Sequence, residues 1–395
     1  MAILAVNAGS STLKFSVHPV RDGQACAPML TGSIQGLEPG GTPAMDWTLG
    51  GQRQQRALPA GDPDTAFARA LQALHELLAS ETTLPALRAV AHRVVHGGQQ
   101  YRSSVIVNAE VLQTLAQLNS LAPLHQPHNL AGIRAFSQAF PTLPQVACFD
   151  TAFHATLPPV EYHFALPQAV TDEGVRRYGF HGLSYQSIMG TLRSVSARAL
   201  GRTLMAHLGN GASLCAALEG ESRATTMGFS ALDGLMMGTR CGALDPGVLL
   251  YLLEQGWEHD RIQALLYRQS GLLGVSGIAA DMRALRADTR PQAQFAIELF
   301  TQRVVRSTGE LTACIGGLDL LAFSGGIGEN DALLRAQVAQ RLAYLGVQVD
   351  PDLNHRHPAG TRPRAIHAAG STVEVWVIPT DEGSVAAAEA AALVR

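Results

Sequence analysis

Three loops rich in glycine and serine have the composition of anion cradles: Asn7-Ala8-Gly9-Ser10-Ser11, Gly209-Asn210-Gly211-Ala212-Ser213 and Ser324-Gly325-Gly326-Ile327-Gly328. Small residues let backbone N–H groups approach a phosphate, and serine hydroxyls add donors. One glycine turn is weak evidence, but three, two of them in matching settings, are stronger. Lys14, the only lysine in the chain, follows the first loop. An arginine-biased composition explains its scarcity but not its place. Arg93 in AHRVVHGG and Arg240 in GLMMGTRCGALDP are charges set in apolar, glycine-rich stretches. Such a guanidinium either pairs structurally or awaits a carboxylate or phosphate, which its planar fork matches. Asp150 ends the strand-like ACFD, where catalytic and capping acids are equally common, and His181 sits in the glycine-flanked RRYGFHGLSY. No GxxxxGK[ST] loop and no strand–GxGxxG–helix unit occurs, so a nucleotide would need another scaffold. His125-Gln126-Pro127-His128 has no matched second pair and no HExxH is present, which argues against zinc.

The elements that must carry these residues alternate between strand and helix. ILAVN and LKFSV flank the first loop as two strands, with Leu13, Phe15 and Val17 alternating with Lys14 and Ser16. TLMAHL, ending near His207, and a strand from Leu214 repeat the pattern about 200 residues later. The third loop follows the apolar LLAFS and runs into a helix. Asp62 with Pro63 is placed to cap a helix bearing Phe67, Leu71, Leu74 and Leu78. Asn330 is expected to cap another, with Leu333, Leu334, Val338 and Leu342 inward. The alanine-rich end of the chain is expected to form a helix capped by Thr380 or Asp381. This is an α/β pattern. The twin hairpins imply a duplicated core with a cleft between its halves and a boundary near Val146 to Thr151.

Composition bounds the partners. The chain has 395 residues, 47% hydrophobic and 15% charged, with a formal net charge of −3. That suits two packed domains and gives no broad basic surface for nucleic acid. The five cysteines are scattered without CxxC or Cys/His zinc spacing, as expected of free thiols in a reducing cytoplasm. No stretch approaches the roughly 20 apolar residues of a membrane span, and MAILAVNAGSS lacks a basic leader region. A cytoplasmic protein with no membrane and no nucleic-acid partner is expected.

The motifs NAGSSTLKFSV, HRVVHGG, LAPLHQPHN, FDTAFH, YGFHGLSY, HLGNGAS, MGFSALDGLMMGTRCG, FSGGIGEN and IPTDEG span the chain. Together they make it resemble the acetate kinase family from end to end. The resemblance implies an α/β fold, the duplicated actin-like ATPase (ribonuclease H-like) fold, with two domains flanking a nucleotide cleft. These would be residues 1–150 joined by a C-terminal helix 381–395, and residues 151–380. It implies reversible phosphoryl transfer from ATP to acetate, giving ADP and acetyl phosphate, with Mg2+ or Mn2+ as cofactor, in a homodimer. It places Asn7 and Glu382 at the metal, and Asp150, His181 and Arg240 in catalysis. It places Arg93, Val95, Leu124, Phe180 and Ala231 at acetate. Nucleotide contacts would be Lys14, His207, Leu208, Gly209, Asn210, Gly211, Asp281, Met282, Arg283, Gly326, Ile327, Gly328, Glu329 and Asn330. Acetate is already ionised at neutral pH, so Asp150 is better suited to orienting Arg93 or a metal-bound water than to acting as a base. Two positions depart from the family pattern: Ala231 stands where proline is usual, with Asp233 following, and Gly383 stands where a second acid is usual. Ala231 keeps a propionate or other short-chain acyl kinase open as an alternative. A chaperone-like ATP-binding protein is the alternative from a different class.

Overall fold

The computed structural model describes residues 1–9, 11–38, 40–59, 66–123, 125–356 and 362–394. Four of the expected residues named above, Ser10 of the first glycine loop, Asp62, Pro63 and the substrate-pocket Leu124, lie outside the described residues. The chain divides into two compact units, Met1–Ala152 with Asp381–Arg395, and Phe153–Thr380.

The first unit carries β1 (Ala2–Ala8), β2 (Leu13–Arg21), β3 (Gln24–Ala25), β4 (Leu30–Gln35), β5 (Ala44–Leu49), β6 (Gln52–Ala57), β7 (Leu87–Val94), β8 (Val105–Ile106) and β9 (Gln145–Phe149). Among the described residues its main sheet runs β6-β5-β4-β2-β1-β7-β9-β8. The second unit carries β10 (Thr203–Leu208), β11 (Ala212–Leu218), β12 (Glu221–Thr225), β13 (Leu320–Ser324), β14 (Arg364–Ala365) and β15 (Glu374–Val377), ordered β12-β11-β10-β13-β15-β14. Both sheets contain the same run. A hairpin pairs antiparallel, β2 on β1 and β11 on β10, and two parallel strands follow, β7 and β9 or β13 and β15. This is the duplication that the twin hairpins suggested. The second hairpin strand starts at Ala212, two residues before the expected Leu214, because its ladder to β10 continues to the Leu208–Ala212 pair.

Strand alternation decides which side chains leave the core. In the first unit Leu4, Val6, Leu13, Phe15 and Val17 join Leu71, Leu74 and Leu77 of the helix Ala66–Ser80 in one apolar cluster. Residues of opposite parity, Asn7 and Lys14 among them, fall on the other sheet face. That face is covered by the last helix, Glu382–Leu393, which packs on β1, β7 and β9. Asp381 caps it, its carboxylate accepting from the Ser384 N–H at 2.9 Å. In the second unit Tyr185, Ile188 and Leu192 of the helix Gly182–Val195 pack on Met205, Cys215 and Ala322.

One cap and one core residue differ from the sequence reading. The helix Ala332–Arg341 is capped by Asp331, not Asn330, because the Asp331 carboxylate reaches the Leu334 N–H at 2.9 Å. Asn330 instead ends the preceding short helix, donating to the Gly326 carbonyl at 2.9 Å. Leu334, Val338 and Leu342 point inward at four-residue spacing, whereas Leu333 is 53% exposed.

Candidate active site

In the first unit the register places the polar groups. Asn7 pairs with Lys14 across the hairpin, and Arg93 lies one residue beyond the last β1–β7 pair, opposite Cys148 of β9. Asp150 follows two residues later at the end of the same parallel strands, a common position for functional groups in open sheets. The first glycine loop closes with the Gly9 N–H donating to the Thr12 carbonyl at 2.8 Å. Lys14 is exposed beside it. Arg93 grips Asp150 with both ends of its fork, Nε to Oδ1 at 3.0 Å and Nη2 to Oδ2 at 2.6 Å. Glu382 lies 3.5 Å from the same guanidinium. Burial works against the Arg93 charge, but the two carboxylates hold its pKa well above the ordinary guanidinium value. Burial also pushes Asp150 up, opposed by Arg93 and assisted by Glu382. Val95 is buried next to this pair in sequence. Its N–H donates to Asn129, whose amide in turn donates to the Ala8 carbonyl, tying the first glycine loop to the end of β7.

In the second unit the hairpin Gly209–Gly211 and the turn at Gly325 touch backbone to backbone. A Cβ on Gly325, where φ is +77°, would lie 2.7 Å from the Leu208 carbonyl oxygen. Only glycine fits there. His181, Arg240 and the hairpin converge. His181 Nε2 and Arg240 Nη2 lie 3.2 and 3.9 Å from the place a Cβ would take on Gly211. The MMGTRCG loop docks on the hairpin through Gly238, whose N–H donates to the Asn210 carbonyl at 2.9 Å. Arg240 Nη1 donates to the carbonyl of Ala231 at 2.9 Å. Asp233, the other departure in that loop, pairs with Arg177 at 3.6 Å, while Arg177 also donates to the carbonyls of Thr225, Thr226 and Met227. His207 stacks near His181, ring centroids 4.4 Å apart, and its Nδ1 bonds Ser184 at 2.7 Å. Phe180 is buried, and its carbonyl accepts from His154 at 2.9 Å.

Beside the second hairpin lies a cavity of about 1180 Å3, at or above the usual 300–1,000 Å3 of small-molecule sites. Gly209, Asn210, Asp281, Met282, Arg283, Gly326, Ile327 and Asn330 line it. Asp281 also caps the short helix Met282–Ala287 and pairs with Arg283 at 3.2 Å. Gly328 and Glu329 are not in the lining. Glu329 accepts from the Gly325 N–H at 2.9 Å and so braces the loop from behind. Arg335, fully buried, donates to the carbonyls of Gly328 and Glu329 and to Asn354 at 2.8–2.9 Å. Burial lowers its pKa to about 10.

The sequence reading missed Arg286, Asp331, Leu333 and His355, which also line the cavity. Arg286 sits three residues after Arg283 on the same helix, a spacing that could have revealed it. It pairs with Asp331 at 3.0 Å. Leu333 points into the cavity region rather than the core. His355 comes from a distant segment and gives no local signal. Asn129 and Arg335, which fix the loops without lining them, were missed for the same reason.

A strand–glycine loop–strand hairpin followed by two parallel strands, repeated in each unit, with Arg93 in the first and Arg240 in the second suited to carboxylate or phosphate, defines a phosphotransferase of the actin-like ATPase class. Residues 2–388 match the acetokinase family. An acetate kinase of Rhodopseudomonas palustris (strain ATCC BAA-98 / CGA009) is 50% identical over 392 residues, covering 96% of this chain and 95% of that protein. Among solved structures, a propionate kinase from Francisella tularensis aligns with a TM-score of 0.89 at 35% identity, covering 98% of both chains. An acetate kinase from Porphyromonas gingivalis aligns with a TM-score of 0.86 at 31% identity, covering 100% of both. The chain belongs to the acetokinase family, and it is a kinase that acts on acetate.

Proposed function

We propose that this chain transfers the γ-phosphoryl group of ATP directly and reversibly to a carboxylate oxygen of acetate, in a Mg2+-dependent reaction. The observation that carries the reading is the convergence of His181 and Arg240 on the Gly209–Gly211 hairpin. One P–O bond forms to the acetate oxygen as the bond from phosphorus to the ADP oxygen breaks, and no proton changes hands. Such a loose transition state needs positioning and charge neutralisation more than proton transfer. Arg240 and His181 meet the equatorial oxygens, and Arg93 meets the acetate carboxylate. The family resemblance assigns the acetate methyl to Val95, Leu124, Phe180 and Ala231. Asp281, Met282, Arg283, Ile327 and Asn330 receive the nucleoside and residues 207–211 the phosphates, a role the resemblance also gives to Lys14.

Asn7 and Glu382 offer oxygen ligands, which suits a hard cation that keeps several of its waters. Asn7 lies on the sheet face where the Glu382 helix begins, since Gly383 abuts Ser16 on that face. Held there, Mg2+ would supply positive charge to neutralise the charge that develops during transfer. A product assay tests the reading. Hydroxamate-trappable acyl phosphate supports it, and release of inorganic phosphate alone would point to a chaperone-type ATPase.

Asp150 acts by fixing Arg93. Asp150→Asn should be severely impaired, because the Arg93 fork loses its charged partner. Single-turnover rates of the wild type in D2O and H2O should match in the chemical step. A proton-transfer isotope effect there would restore Asp150 as a general base.

Ala231 favours a second reading, wider use of propionate. Replacing a proline ring by alanine leaves room for a methylene, worth about 10–200-fold in kcat/KM. Ala231→Pro should lower the propionate/acetate ratio of kcat/KM by up to about tenfold. A ratio unchanged within about twofold would mean that a neighbour has refilled the gap.

A homodimer is supported by the helix Pro246–Glu254. It has no buried residue and exposes Leu250, Tyr251 and Leu253 by more than half, an unusual apolar surface for a monomer. Sedimentation at the mass of one 41.8 kDa chain would refute it. Cytoplasmic residence is supported by five free cysteines. Among the described residues no helix is long and apolar enough to cross a membrane.

A further inference from the structure

We propose that Tyr185 and Ser213 set the tautomer of His181, so that Nε2 carries the ring hydrogen and donates it toward the transferring phosphoryl group. This rests on the reading of His181 given above.

The three groups form a chain. The Tyr185 hydroxyl lies 2.5 Å from Ser213 Oγ, and Ser213 Oγ lies 2.8 Å from His181 Nδ1. Tyr185 and Ser213 have no exposed surface, so neither oxygen can turn to water. The phenol has one hydrogen, and Ser213 Oγ is its hydrogen-bond partner. Once Ser213 accepts from Tyr185, its own hydrogen turns to His181 Nδ1. That nitrogen must then be bare, and a neutral imidazole with a bare Nδ1 carries its hydrogen on Nε2. The opposite direction, from His181 Nδ1–H to Ser213 and on to Tyr185, would strand the phenol hydrogen in a buried site. It would also aim a lone pair at an anion.

Nε2 is the nitrogen that faces the hairpin, 3.2 Å from the Cβ position of Gly211. The ring is delivered there by an unusual backbone. His181 has φ +60° and ψ 24°, left-handed for a residue with a side chain, at the start of the helix Gly182–Val195. Such a conformation persists only where its surroundings enforce it. Tyr185 lies one turn along that helix, so a single element carries both ends of the chain while β11 supplies the middle. Tyr185 and Ser213 are positioning residues that act through His181.

The test is a long-range 1H–15N correlation spectrum of histidine-labelled enzyme, with His181→Gln identifying its signals among the 14 histidines. The wild type should show a bare Nδ1 and a protonated Nε2 at His181. Ser213→Ala should shift His181 toward a tautomer mixture and lower kcat about 10–100-fold, with the KM for ATP little changed. Tyr185→Phe removes only the hydroxyl and keeps the ring in the core, so it remains informative if Ser213→Ala misfolds. It should shift the tautomer part-way and lower kcat a few-fold. A wild-type His181 protonated on Nδ1 overturns the proposal. So does a tautomer left unchanged in both variants. A normal kcat in His181→Gln would instead sink the role of His181 in transfer, while leaving the tautomer result standing.

Discussion

Arg240→Ala should lose about 10²–10⁴ in kcat, the range of a single well-placed electrostatic group in a transition state. That corresponds to about 3–5 kcal/mol of barrier. The guanidinium is held by the Ala231 carbonyl on one side, and Nη2 lies 3.9 Å from the Gly211 Cβ position on the other. It therefore stands where the hairpin would present a phosphate. Charge shifts onto the transferring oxygens only during reaction, so the loss belongs in kcat rather than in the KM for acetate. Arg240→Lys should recover little, because an ammonium cannot bond the Ala231 carbonyl and reach the hairpin with a planar fork. Arg93→Ala should behave differently and raise the acetate KM as well. Steady-state kinetics of the three variants checks this. Near-normal kcat with only a raised acetate KM in Arg240→Ala would exchange the roles of the two arginines.

Acid should unfold the protein well before its carboxylates alone would require. Burial lowers His92, His96 and His154 to about 4 from an ordinary 6.5. Their folded pKa values lie below the unfolded one, so the unfolded chain takes up protons first. Stability from these groups is complete above pH 6.5 and is lost as pH falls toward 4. Each shift of this size is worth about 3 kcal/mol as an upper bound, and the three are not simply additive. Urea unfolding midpoints should fall steeply between pH 6.5 and 4.5, and His154→Gln should flatten part of the slope. A midpoint constant over that range would show that the histidines protonate within the folded state. The site shares the effect, because the His154 ring holds the Phe180 carbonyl beside His181.

What could be read from sequence was what is local. Each glycine loop announces its backbone requirement in a few adjacent residues, and the repeated strand–loop–strand pattern shows the duplication directly. Helix periodicity placed Leu334 and Val338 correctly but not Leu333, because a run of leucines does not say which face another segment will cover. The cap was misassigned between Asn330 and Asp331 because both side chains can cap, and only the fold shows which one reaches Leu334. The braces were not legible. Asn129 lies 121 residues from Ala8, and Ser213 lies 28 from Tyr185 and 32 from His181. No periodicity or motif links such partners, and each is a common residue doing an uncommon job.

The buried guanidinium of Arg335 gives the second glycine loop a property beyond its shape. It holds the Gly328 and Glu329 carbonyls at the far end of the turn, while the Glu329 carboxylate holds the Gly325 N–H at the near end. The amides that would meet a phosphate are thus aligned before any ligand arrives. Ordering such a segment on binding would subtract from affinity each time. Here the ordering is done once, when the chain folds, and is not repeated at every turnover.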